Sequence, residues 1–427
     1  MAGFISVFSD LRNHRERRQE FFARFGSVWP EALLHPYDLL DLYCLPRAEI
    51  AAITDCTKAL ARIYERTASP LRTVPDEALL QMGLLEPALS LSRNPTPGMS
   101  DTVIGRFDLV KTASGYKMLE FNADTPGLLV ETFAINGIVC EQSGRVDPNR
   151  EGAAELVAAL KTAIRAGLEY VGKTEGQQAK VVFSSCEGFT RDIAAARYLI
   201  GLLDLPDNVQ KQYLHIDSLG ADETGLYDPE GRRIDVLYRS YPLQYFRGGM
   251  FQDKTNKGAG KHDGQLVFRL VQQRRIALIN PPSAFLLQSK AVQVVIWGLY
   301  EADIYFSEEE RDAIERYMLP TYLEPLEDEQ YVVKPVYGGE GDTVEIVNRR
   351  DGTVLKSRSR SYVDQPLVYQ KFVELPLIEA MTEEGARSLR VLASCFLVAG
   401  HPVGITMRAG SAITDNSWWF LPVGVAD

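Results

Sequence analysis

The sequence predicts an α+β protein in several layers, and three observations carry that prediction. Residues 105–122 read as a two-stranded hairpin, strand and helix patterns alternate from about residue 176, and short strands recur at antiparallel spacing through the last third. In order, residues 1–100 form a helical N-terminal region, with apolar residues at helical spacing in 21–25, 50–64 and 77–91, punctuated by Pro46, Pro70 and Pro75. Residues 101–175 hold the hairpin and a helix over about 149–170, apolar at Leu156, Ala159, Leu160, Ile164 and Leu168. Residues 176–284 form an α/β unit with strands at 179–185, 213–216 and 234–239 and a helix at 190–203, closed by Pro281 and Pro282. Residues 285–427 begin with a helix over 285–299 carrying Lys290 near its start, followed by short strands near 331–335, 367–373, 393–398 and 403–408.

Composition bounds the function. A chain of 427 residues, 45% hydrophobic and 24% charged, has room for two or three domains and a large core. The net charge of -11 argues against nonspecific binding to nucleic acid or to an anionic membrane surface. Cys44, Cys56, Cys140, Cys186 and Cys395 are scattered without Cys-x-x-Cys spacing and read as reduced structural thiols. The first residues lack a basic leader before a sustained apolar run, and no window of about 18 apolar residues occurs, so a soluble cytoplasmic protein is expected.

The hairpin carries the chemistry. Folding it about Ser114 sets Asp108 across from Glu120 and Arg106 across from Asn122. Strand alternation then gives Arg106, Asp108, Glu120 and Asn122 one face, and Phe107, Leu119 and Phe121 the other. Two opposed carboxylates repel unless a positive charge lies between them. Asp108, Glu120 and the Asn122 carbonyl are oxygen donors of the kind Mg²⁺ takes while keeping waters and substrate phosphates. The alternative is a surface hairpin with solvated charges.

A second set lies some two hundred residues later. Lys334 closes a strand, and Gly338, Gly339, Glu340 and Gly341 follow. A glycine loop lets backbone N–H groups approach phosphate while a lysine adds a point charge, although the Gly-Lys-Ser/Thr ending of a Walker loop is missing and an ordinary hairpin connection is the alternative. Gln370 and Lys371 precede Phe372 and Val373 at a hinge whose backbone suits an adenine edge, or else form a plain strand exit. Arg408 ends a strand with no anion adjacent in sequence, which favours a phosphate or acyl phosphate partner over a surface salt bridge.

Together these motifs resemble the glutathionylspermidine synthase family, ATP-grasp carboxylate–amine ligases, over most of residues 100–427. The resemblance rests on Arg106-x-Asp108, Glu120-x-Asn122-Ala-Asp-Thr-Pro, Lys290 in Ser-Lys-Ala, Lys334 in Val-Lys-Pro, the loop with Glu340-Gly341, Gln370, and Arg408 in Gly-x-x-x-Arg. It implies an ATP-grasp fold in circularly permuted order, with the metal-binding hairpin ahead of both lysines and a pre-ATP-grasp α/β domain. It implies ATP and Mg²⁺ as cofactors and a small carboxylate and an amine as substrates, without naming an oligomeric state. By position, Asp108, Glu120 and Asn122 would hold Mg²⁺, and Lys290, Lys334 and the glycine loop the ATP phosphates. Gln370 to Val373 would face adenine. Arg106 and Arg408 would be catalytic, and Arg106, Thr125 and Glu131 would bind substrate.

The chain departs from the family's pattern in places. Gly127 stands where the family's substrate loop often has a hydroxyl residue. Residues 184–192 lack the acidic pair of polyamine-joining members, and Arg191 there would repel a polycation. Residues 1–92 offer no Cys/His constellation for an amidase. An ATP-binding scaffold without ligase activity and a small-molecule kinase are the competing classes.

Overall fold

Strands Ile104–Thr112 and Gly115–Asn122 pair with Arg106 opposite Asn122 and Asp108 opposite Glu120. The computed structural model that shows this describes residues 41–246, 264–382, 385–414 and 418–426, with the short pieces 3–6, 16, 20, 21, 23, 251–253 and 261–262. The register runs through a bulge: Leu109 pairs with Met118, so Leu119 is the extra residue on the return strand. Met118 and Phe121 both enter the main core, whereas Leu119 packs with Val110 and Leu392 on the other side. This corrects the expectation that Leu119 shares the face of Phe107 and Phe121. Strict alternation fails where one strand carries an additional residue.

The apolar face is closed by the helix Arg47–Leu71, whose Ile53, Leu60, Tyr64 and Leu71 are buried at helical spacing. The Tyr64 ring meets Phe107 edge-on at 5.6 Å and Phe121 at 4.9 Å, and those two rings stack at 4.0 Å. Such aromatic pairs contribute about 0.5–1.5 kcal/mol each beyond area burial. The N-terminal region is not helical throughout. Gly3–Ser6 pairs with Asp41–Leu45, which runs parallel to Val423–Val425, a partner at the far end of the chain that local periodicity does not reveal. The helical reading of residues 21–25 falls largely outside the described residues.

The hairpin is half of a larger sheet. Ile104–Thr112 pairs with Gly385–Val398, placing Ser394 opposite Asp108, and Gly385–Val398 pairs with His401–Gly410, placing Leu392 opposite Arg408. Leu377–Thr382 and Trp419–Leu421 complete six antiparallel strands. A second antiparallel sheet centres on Gln330–Pro335, flanked by Leu367–Lys371 and Glu345–Asn348, with Thr321–Tyr322 and Val354–Lys356 at its edges.

The α/β layer has four parallel strands in the order Ala277–Ile279, Val236–Arg239, Ala179–Ser185, Val209–His215. The strand expected over 234–239 is split at Asp235, and Arg233–Ile234 joins a separate small sheet. The buried Asp235 carboxylate accepts the Lys180 backbone N–H at 2.9 Å. The single helix expected over 285–299 is two, Ser283–Gln288 and Ala291–Glu301. Lys290 sits between them, and its backbone N–H donates to Val336 O at 2.9 Å. Among the described residues no helix is long and apolar enough to cross a membrane.

Candidate active site

Sheet pairing converges on Asp108, 1% exposed. Its Oδ1 accepts from Arg106 Nε at 2.8 Å and Ser394 Oγ at 2.7 Å; its Oδ2 accepts from Arg106 Nη2 at 3.0 Å, Arg408 Nη2 at 2.5 Å and Asn122 Nδ2 at 3.1 Å. Burial alone would raise this carboxyl's pKa, but the two guanidiniums overcome that and hold it well below the usual carboxylate range. The charge expected between the opposed carboxylates is therefore supplied here by arginines. Glu120, across the hairpin, faces Lys290 Nζ at 3.2 Å and Asn122 Nδ2 at 3.5 Å.

Lys334 approaches from the other antiparallel sheet and Lys290 from the junction of two helices. Lys290 Nζ donates to Gly338 O at 2.7 Å, tying the helix junction to the glycine loop. Lys334 Nζ donates to Leu119 O at 3.1 Å and Gln370 Oε1 at 2.7 Å, and burial pushes its pKa down to about 8. Gln370 is itself buried and donates onward to Gln293 Oε1 at 2.8 Å. Its side chain thus orients Lys334 as well as lining the crevice. In the loop, Gly341 has φ +67° and lies so close to Thr414 that a Cβ would stand 2.4 Å from that carbonyl oxygen. Only glycine fits both conditions.

Two cavities open from this cluster. A narrow crevice of about 100 Å³ between the antiparallel sheets is lined by Lys290, Lys334, Gly341 and 370–373. A larger cavity of about 1340 Å³ is lined by Arg106, Thr125, Glu131, Gly338, Gly339 and Glu340, among others. Their walls are continuous: Glu120, Gly338, Asp342 and Arg408 face both.

The loop leaving the hairpin is fixed by contacts the motifs did not announce. Asn280 Oδ1 accepts the backbone N–H groups of Val103 and Ile104, and its Nδ2 donates to the carbonyls of Ile104 and Asp124, clasping both ends of the hairpin. Asp124 takes Arg239 in a bidentate pair, Nη2–Oδ1 2.5 Å and Nη1–Oδ2 3.0 Å, with both side chains buried. Farther on, Gly127 O accepts Arg106 Nη1 at 2.8 Å, so the loop backbone holds the arginine that holds Asp108.

Every residue singled out in the sequence thus borders one cavity or both. Ser394, Gln293, Arg239 and Trp418 were missed. Each becomes a neighbour only through contacts between segments far apart in the chain, and three of the four carry no local signature. The exception is Arg239, a charge ending the apolar run Val236-Leu-Tyr.

No group of three His, Cys, Asp or Glu side chains among the described residues forms a self-sufficient metal site. Asp108, Glu120 and Asn122 nevertheless fit Mg²⁺ by donor chemistry. The Asn122 amide lies within 3.5 Å of both carboxylates, its Nδ2 facing them here, and turned about it would present its carbonyl oxygen to a cation that binds through one or two carboxylates completed by waters and substrate phosphates.

Two facing antiparallel sheets beside a parallel α/β layer, with lysines and a glycine loop in the crevice, define a fold of the ATP-grasp type. The chain belongs to the glutathionylspermidine synthase preATP-grasp family, whose pattern it matches over residues 10–426. It is 22% identical over 329 residues to a Haemophilus influenzae protein named "Putative acid--amine ligase", covering 74% of this chain and 73% of that protein. It also shares its fold with a glutathione synthetase-like effector from Globodera pallida solved in apo form, at TM-score 0.56 and 14% identity over 98% of this chain and 99% of the other.

Proposed function

We propose that this protein is an ATP- and Mg²⁺-dependent ligase that joins a small carboxylate to an amine through an acyl phosphate, releasing ADP and phosphate. The observation that carries the reading is the wall that the two cavities share at Glu120, Gly338, Asp342 and Arg408. A nucleotide in the crevice directs its terminal phosphate to where the larger cavity begins. The hairpin's position ahead of both lysines supports a circularly permuted ATP-grasp order. Five free cysteines and the use of ATP suit the cytoplasm.

Asp108, Glu120 and Asn122 would hold Mg²⁺, which when bound supplies charge neutralisation at the phosphate oxygens. Lys290 and Lys334 bind those oxygens as point charges, while the backbone of 370–373 faces the base. The substrate carboxylate, held by Arg106 with Thr125 and Glu131 nearby, attacks the terminal phosphorus, and the bond to the ADP oxygen breaks. Arg408 stabilises the charge spread over the transferring group. The amine nitrogen then bonds to the acyl carbon, the carbon–oxygen bond to phosphate breaks, and the ammonium's two surplus protons pass to carboxylate or solvent.

The test is incubation with ATP, Mg²⁺ and pooled small carboxylates and amines, read by ADP release and product mass. Amide formation matched to ADP is expected. A phosphorylated product with no amine consumed would make the protein a kinase, and nucleotide binding without turnover would make it a scaffold.

A further inference from the structure

One wall of the larger cavity belongs to the parallel α/β layer, and the topology of that layer marks it. The chain enters the sheet at Ala179–Ser185, crosses to Val209–His215 on one side, and returns to Val236–Arg239 on the other. The helix after the first strand, Thr190–Leu202, shares a core through Leu199 with Val181 and Phe183. The next helix after Val236–Arg239, Leu266–Gln272, shares the opposite core through Leu266 and Leu270 with Val182 and Leu237. The two strand exits therefore part toward opposite faces of the sheet, leaving a crevice at their carboxyl ends, the place where open α/β sheets bind ligands. Residues 188–190 from one exit and 240–242 from the other line the larger cavity.

These exits present aromatic surface. Phe189 is 52% exposed, yet its backbone is fixed: its N–H donates to Cys186 O at 3.2 Å, its carbonyl accepts the Ile193 N–H at 3.0 Å, and Gly188 before it has φ +88°. A turn tied at both ends, with glycine at its third position, holds the ring out at the cavity wall. From the other exit, the Tyr241 ring lies 5.6 Å from that of Tyr245 and 5.6 Å from that of Phe246. Tyr245 shares a hydroxyl–hydroxyl hydrogen bond with Tyr362, which lies between two strands of the second antiparallel sheet and lines the same cavity. That bond occupies the polar end of both rings, so what the pair offers a ligand is ring surface.

The walls divide the reactants among them. The crevice between the antiparallel sheets takes the nucleotide, and the loop after the hairpin takes the acid beside Arg106. The wall left for the body of the amine is the aromatic one. We infer that the amine substrate is a monoamine with an aromatic or branched apolar arm, seated in the switch-point crevice against Phe189, Tyr241, Tyr245 and Tyr362. Such an amine presupposes the ligase reading and narrows its substrate class. An apolar arm covers the rings along its whole length, whereas a polyamine brings few carbons between strongly hydrated charges.

The test uses the full-length protein with ATP, Mg²⁺ and the carboxylate pool, and compares methylamine, butylamine, benzylamine and phenethylamine with putrescine and spermidine. KM is expected to fall about fourfold for each arm methylene buried, and to lie about 10–100-fold lower for phenethylamine than for methylamine. In Phe189→Ala, with its Tm checked against wild type, that span shrinks to a few-fold while KM for ATP stays put. Phe189→Leu keeps apolar surface and restores most of the span. Amines used without regard to their arm, polyamines preferred to phenethylamine, or a span that survives Phe189→Ala overturns the assignment with ligase activity intact. Absence of ADP release with every amine overturns the ligase reading and this assignment with it.

Discussion

Arg408 and Asp108 stand 300 positions apart in the chain and meet in a buried ion pair, Nη2 to Oδ2 at 2.5 Å. Arg106 grips the same carboxylate from two residues away. Asp108 is thus the anion that lets two arginines share a dry site, and removing it leaves both cations unbalanced. Asp108→Asn is expected to lower stability by about 3–5 kcal/mol in urea titrations. Because the folded carboxyl lies below its ordinary value, this stabilisation is fully present above the usual aspartate pKa, about 3.9, and is lost as pH falls beneath it. Arg408→Lys keeps a charge but loses the fork, and ADP release should fall roughly 10³-fold. A loss under tenfold would remove Arg408 from the transferring group.

The glycine loop makes a sharper contrast between neighbours. Gly341→Ala must place a Cβ 2.4 Å from the Thr414 carbonyl oxygen at φ +67°, whereas a Cβ on Gly339 meets nothing within 4 Å. The backbone conformation alone costs roughly 1–2 kcal/mol, and the collision with main chain adds to it. We expect Gly341→Ala to raise KM for ATP about tenfold or more, taking that 1.4 kcal/mol equals a factor of ten, with Gly339→Ala within a few-fold of wild type. Equal effects at the two positions would mean that the loop is not held in this form when nucleotide binds.

Asp124 and Arg239 test whether the loop after the hairpin is a positioning element. Each is buried, and Asp124 Oδ2 additionally accepts the Leu243 backbone N–H at 3.2 Å. Arg239→Met should cost about 3–5 kcal/mol of stability. Asp124→Asn keeps the shape and loses the charge, and should raise KM for the acid substrate more than KM for ATP. The pair anchors residues 123–127, which reach Arg106 through Gly127 O. A parallel rise in both constants would point to general loosening instead.

How far the sequence reached depended on separation along the chain. Asp108 opposite Glu120 was legible because a short turn fixes the pairing, and Lys334 was legible as a charge ending an apolar strand. The Leu119 bulge was not, since alternation assumes one residue per partner. That Ser394 and Arg408 complete the coordination of Asp108 depends on strand pairing across nearly the whole chain, which no local pattern encodes. The break at Lys290 was hidden for another reason. Residues 285–299 carry apolar runs on both sides of Gln288-Ser-Lys290 with no proline at the break, and the interruption is fixed by the Lys290 backbone N–H to Val336 O and its Nζ to Gly338 O in the glycine loop.

Lys334 ties nucleotide binding to pH. Burial lowers its pKa to about 8 and nearby Lys290 adds to that, with Glu120 and Asp108 opposing. A lysine depressed in the fold binds fewer protons folded than unfolded between about 8 and its ordinary value near 10.4, so its contribution to stability rises with pH across that window. Phosphate oxygens reverse the balance by favouring the charged form. ATP binding at pH 8.5 should therefore draw in a fraction of a proton per site, seen by calorimetry as a binding enthalpy that changes with the ionisation enthalpy of the buffer. At pH 6.5 the lysine is already charged and its uptake should vanish. Lys334→Arg stays protonated throughout and should abolish the pH 8.5 uptake even where binding survives. An uptake unchanged in that variant would place the phosphates away from Lys334.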